Sequence, residues 1–226
     1  MEPKTSKLVA VVAVVVALGL GLFGGYAIGN MNEDNMNDTK SDASTVSMKQ
    51  DDLRVALNNL LREHVTSSLV VTCDIVDGAS AQKIDGAKAA QTANAVAIAT
   101  AVGSVYGKDA QDAVTTPFVA HIGFSNDYAK AVADGDTAAQ ATSLTALRGE
   151  LRKVATVFNS VIPSLPVDTL YDALSAHEDL LNQAAIEYKA GNFEKAYALE
   201  NEALVQISGG ADAISGGIVK SKPDMF

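Results

Sequence analysis

The chain contains three histidines, at 64, 121 and 177, and a glycine follows each by fourteen residues: Gly78, Gly135 and Gly191. The histidines are 57 and 56 residues apart, which makes this spacing an internal repeat. The flanks agree with it. Seven positions before each histidine stands Leu57, Val114 or Leu170, and three positions before stands Leu61, Phe118 or Leu174. Those offsets fall on one face of a helix, so each imidazole belongs to an apolar stripe and points inward.

A glycine just past a periodic segment is the usual left-handed stop of a helix. The stretches "VDGAS", "ADGDT" and "KAGNF" therefore read as short turns, and each repeat as a helical hairpin. Helices are predicted near 51–77, 83–106, 109–133, 136–160, 167–190 and 193–218, with "YGKD" and "IPSLPVD" linking the hairpins. Pro163 and Pro166 end the fourth helix, because proline lacks the amide hydrogen a helix needs. Abundant alanine, no tryptophan and few alternating β-branched runs support the same conclusion. The expected fold is all-α, a bundle of about six helices built as three hairpins.

Spacing also predicts a site. Fourteen residues at about 1.5 Å each put every histidine about 21 Å from its turn, so the three share one level. Each return helix runs antiparallel and reaches that level 15 or 16 residues after the glycine, at Asn94, Glu150 and Gln206. Three imidazoles and a carboxylate at one height suit a transition metal ion, either zinc, copper or iron. His64, His121, His177 and Glu150 are the candidate ligands, with Asn94, Gln206 and Glu63 as supporting groups behind them. Glu63 points about 100° away from His64 and also reads as a solvated acid. The competing reading is a hydrogen-bonded polar layer that fixes helix register.

Catalysis finds no motif. The Glu-x-x-His pairs of di-iron bundles, His-Glu-x-x-His, Gly-x-Ser-x-Gly and a phosphate-cradling glycine loop are all missing. The single cysteine, Cys73, lies among Val70, Val71 and Ile75 and reads as a small core residue. A formal net charge of -10 argues against nucleic acid as a partner.

The N-terminus indicates an address. Residues 8–28, "LVAVVAVVVALGLGLFGGYAI", are uncharged and apolar over 21 residues, enough to span a hydrocarbon core of roughly 30 Å. Lys4 and Lys7 precede the run while Glu33, Asp34 and Asp38 follow, which places residues 1–7 in the cytoplasm and the bulk of the chain outside it. The expected organisation is a cytoplasmic tip at 1–7, a transmembrane anchor at 8–29, a disordered tether at 30–50 and a bundle at 51–226. A cleaved signal peptide competes with the anchor, since Ala27 and Gly29 are small residues of the kind a peptidase recognises. The apolar run is longer than a signal peptide requires, which favours the anchor. Ala13, Ala17, Gly21, Gly25 and Gly29 recur every four residues and offer a face for a homodimer of anchors, although such residues are common in membrane helices. A partner protein of the cell envelope is the other expected contact.

Several stretches carry a resemblance: "LLREHVTSS", "VYG" at 105–107, "GNFEKAYALENEALVQI" and above all "GADAISGGIVKSKP". In this order, over most of residues 53–223, the chain resembles a family of uncharacterised bacterial secreted or membrane-anchored helical proteins. Members carry Glu-His-Val near the start and an Ala-Asp-x-x-Ser-x-Gly-Ile ending. The resemblance implies the polar pattern His64, Asn94, His121, His177 and Gln206. It also implies asparagine at position 150, where this chain has Glu150, and it implies no established activity.

Overall fold

Apolar residues recurring every three or four positions form helix here, and most of the breaks fall at a positive-φ glycine or at Pro163 and Pro166. The computed structural model describes residues 41–226, with side chains from Gln50 onward. It contains α1 (Ser41–Val76), α2 (Ala81–Tyr106), α3 (Lys108–Asp134), α4 (Thr137–Val161), α5 (Val167–Lys189) and α6 (Phe193–Ser221), then a 3₁₀ turn at Pro223–Met225. Among the described residues there is no strand. Residues 45–226 form one compact unit. The ends of α2 to α6 lie within three residues of those predicted. The start of α1 differs, at Ser41 in place of 51, so residues 41–50 of the expected tether are helical. Adding residues to a formed helix costs far less than nucleating one, so α1 extends back into a polar stretch that could not start a helix alone.

The three repeat glycines end α1, α3 and α5 in the same way. Gly78, Gly135 and Gly191 have φ of 67°, 70° and 81°, a region that side chains with a Cβ resist. At each, the following amide donates five residues back: Ala79 to the Asp74 carbonyl (2.9 Å), Asp136 to Ala131 (3.0 Å) and Asn192 to Glu187 (2.9 Å). The glycine amide itself donates three residues back, to Ile75, Val132 and Tyr188. This paired closure satisfies the last carbonyls and turns the chain sharply. In the second hairpin Asp136 also caps α4, its carboxylate accepting from the amides of Ala138 (3.0 Å) and Ala139 (2.9 Å).

Single-turn links make neighbours antiparallel, so α1, α3 and α5 run parallel. Each return helix packs on its own partner and on the next hairpin: α2 lies against α3, and α4 against α5. The ring closes where α6 meets α1, through the Arg54–Asp212 ion pair (2.6 Å) and the Arg62 guanidinium on the Leu204 carbonyl (3.3 Å). The histidine-bearing helices are thereby central, and α3 and α5 also touch directly. Leu57, Leu61, Val65, Val102, Phe118, Val154, Phe158 and Ile218 form the apolar core between them.

Among the described residues no helix is long and apolar enough to cross a membrane. The anchor at 8–29 and the first part of the tether lie outside the described residues.

Close packing at the chain's end distinguishes two adjacent glycines. A Cβ on Gly217 would lie 2.8 Å from Ile162 Cγ2, and Ile162 is fully buried, whereas a Cβ on Gly216 meets nothing within 4 Å. Gly217→Ala should therefore cost about 1–3 kcal/mol, while Gly216→Ala should gain about 0.5–1 kcal/mol from helix propensity. Denaturant unfolding of the two variants tests this, and equal effects would show that Gly217 is not a close-packing contact.

Candidate functional site: a buried histidine cavity

Equal distances from equivalent turns bring the three histidines together. His64, His121 and His177 are 3%, 3% and 2% exposed, so all three lie within the bundle. The ring centres of His64 and His121 are 5.5 Å apart, and those of His64 and His177 are 6.3 Å apart. Phe118 closes one side, edge-on to His121 at 4.7 Å and tilted against His64 at 5.3 Å. All three imidazoles line one cavity of about 50 Å³, otherwise walled mainly by apolar side chains such as Leu61, Leu151 and Ile214. One water needs about 10–15 Å³ on this measure, so the space fits an ion or a few waters and not an organic cofactor.

The imidazoles have few partners. Both ring nitrogens of His177 and the Nδ1 atoms of His64 and His121 have no hydrogen-bond partner. Buried polar atoms are nearly always bonded, so four such nitrogens around one cavity call for an explanation. Burial also keeps the rings neutral. It pushes His64 down to about 4, with only the neighbouring Asn94 amide acting the other way. It pushes His177 down to about 3, helped by His64, and His121 well below its ordinary value, helped by His64 and His177. Neutral imidazole is the form that donates a lone pair to a metal.

A carboxylate completes the cavity, and it is Glu178. This residue is 1% exposed. Its Oε2 accepts a hydrogen bond from Ser125 Oγ at 3.1 Å, and its Oε1 stands 3.8 Å from His121 Nε2. Burial pushes Glu178 up to about 7, opposed by the Ser125 hydroxyl and by Arg148, which is itself paired with Asp179.

Of the other candidate residues, Gln206 also lines the cavity and Asn94 stands beside His64, whereas Glu150 and Glu63 fall elsewhere. Glu150 is half-buried, with its carboxylate on Lys153 Nζ at 2.6 Å. Glu63 is exposed. Asn94 and Gln206 reach the bundle but bond backbone: Asn94 Nδ2 donates to the Leu60 carbonyl (3.0 Å) and Gln206 Nε2 to the Ala173 carbonyl (2.8 Å). Each acceptor lies four residues before a histidine, so both amides make the same cross-hairpin staple at equivalent places in the repeat. The corresponding pair in the second hairpin is Glu150 and Pro117. A carboxylate cannot donate to a carbonyl, so that staple is missing and Glu150 bonds Lys153. One level nearer the turns, Gln91 Nε2 donates to Ser68 Oγ (2.9 Å) and Asn126 Nδ2 to Gln91 Oε1 (3.0 Å), tying α1, α2 and α3.

The repeat held an unused signal for Glu178. It follows His177, and the residues that follow the other histidines are Val65 and Ile122, both buried. The position faces inward in every unit. Among the described residues, no group of three or more His, Cys, Asp or Glu side chains is placed so that it could hold a metal ion. Compared with known protein families, curated proteins and solved structures, the chain shows no significant match in any of the three.

These shifts set an acid response of the metal-free chain. Between about pH 4.5 and 6.5 the unfolded chain protonates three histidines that the folded chain keeps neutral, while the folded chain alone holds a proton on Glu178. The unfolded state thus binds about two more protons, and stability should fall as pH drops through this window, on the order of 2–3 kcal/mol per pH unit. His177→Gln should remove one proton from that difference and roughly halve the slope. Urea unfolding at pH 5 to 6.5 measures it, and stability that stays flat or rises toward pH 5 would contradict neutral buried imidazoles.

Proposed function

We propose that the chain is a membrane-tethered extracytoplasmic protein whose helical bundle binds a transition metal ion in the histidine cavity. One observation supports the metal reading: all three histidines of the chain line one small buried cavity, and four of their ring nitrogens have no partner within the chain. An ion held at about 2.1 Å by ring nitrogens keeps ring centres ~3.2 Å from it, hence ~5 Å apart in a tetrahedral arrangement. The His64–His121 separation of 5.5 Å is close to that, and His177, at 6.3 Å from His64, needs to approach by about 1 Å. The tether rests on the apolar run at 8–28 and on the lysines before it and acids after it.

A second reading, a polar layer that only fixes helix register in an envelope interaction module, is favoured by the amide staples and the Ser68–Gln91–Asn126 chain.

Two experiments test these proposals. The full chain, purified and loaded with zinc, copper or iron, should hold close to one ion per chain and melt at higher temperature with the metal than without it. Alanine at 64, 121 or 177 should each abolish most of that rise, because ligands acting jointly fail together. No metal bound and no change in melting temperature with any of the ions would leave the register reading. For the address, a reporter active only outside the cytoplasm, fused after residue 50, should work and stay with membranes through a carbonate wash. A mature protein that begins near residue 30 and washes off would refute the anchor.

A further inference from the structure

A buried carboxylate held by one neutral hydroxyl is costly. Glu178 is 1% exposed, its Oε2 has the Ser125 hydroxyl at 3.1 Å, and its Oε1 stands 3.8 Å from His121 Nε2, beyond hydrogen-bond reach. The nearby guanidinium of Arg148 is engaged by Asp179. A chain selecting only for a stable bundle would place an apolar side chain here, as the equivalent positions Val65 and Ile122 do. Glu178 also lines the same cavity as the three imidazoles.

Charge indicates what the group is for. Three neutral imidazoles bring no negative charge, so a divalent ion among them would leave two uncompensated positive charges in an apolar space. One carboxylate halves that excess. A hard oxygen donor beside three imidazoles suits divalent first-row ions, whereas monovalent copper prefers soft donors and needs less compensation. Resting on the metal reading above, we infer that Glu178 is the anionic fourth ligand of the cavity and selects a divalent ion over monovalent copper. Glu150, paired with Lys153, has no part in it.

The test compares the full chain with Glu178→Gln, Glu178→Asp and Glu150→Gln, titrated with cobalt(II), zinc(II) and copper(I) salts. Glu178→Gln should weaken cobalt and zinc at least tenfold and copper(I) less than threefold, and should alter the cobalt absorption bands. Its metal-free form should melt at or above the wild-type temperature at pH 8, since a buried charge is gone; a merely structural glutamate would lower it. Should the glutamine variant not fold, Glu178→Asp, which keeps the charge but shortens its reach, is expected to show the same selective loss. Glu150→Gln should bind as the wild type does. Unchanged divalent affinity and cobalt bands in both Glu178 variants, or the loss appearing in Glu150→Gln, would overturn the assignment while the three-histidine reading stands. A wild-type chain that binds none of the three ions would overturn both.

Discussion

The left-handed glycine fourteen residues after each histidine is the constraint on which the structure depends. Gly78, Gly135 and Gly191 close α1, α3 and α5 with the same pair of backbone hydrogen bonds, so the three helices stop at equivalent points. A rigid helix then carries that register back to the histidines, and three separate parts of the sequence deliver imidazoles to one level. Without a common stop, an apolar stripe on each helix would still bury side chains, and the cross-helix amide bonds alone would have to align their polar members.

This alignment buries polar groups that the rest of the chain does not bond. Four ring nitrogens lack partners, and a glutamate is buried beside them. Around this centre several amides bond across the helices, while Asn94 Oδ1, Gln206 Oε1, Ser175 Oγ and Asn182 Nδ2 also have no partner within the chain. Asn94 and Gln206 staple their hairpins, and Ser68, Gln91 and Asn126 bond in series. Unpaired buried groups are destabilising by about 1–3 kcal/mol each, so the layer gains from whatever fills the cavity, an ion or water, while the amide staples contribute to register.

Much of this was legible in the sequence. The helices followed from periodicity and from glycine and proline, because those signals act locally. The histidines followed from the repeat, because a shared offset from a helix stop translates directly into a shared height. Glu178 did not follow, since apolar periodicity marks one inward stripe per helix, and Glu178 lies about 100° around α5 from His177. That holds for a helix at the edge of a bundle. α5 is packed against α3, α4 and α6, so its buried arc is wide enough to take both residues. Glu150 was placed at the right height but occupies the less enclosed α4, where Lys153, three residues on, engages its carboxylate. Height along a helix can be counted from sequence, whereas the width of the buried arc depends on how many neighbours a helix acquires.

Anomalous diffraction from crystals of the protein grown with zinc or cobalt is the most direct measurement of the central claim. The account predicts one strong peak inside the bundle, within about 2.3 Å of a ring nitrogen from each of His64, His121 and His177. A peak only at surface carboxylates, or a cavity that holds water while metal is present in excess, would contradict it.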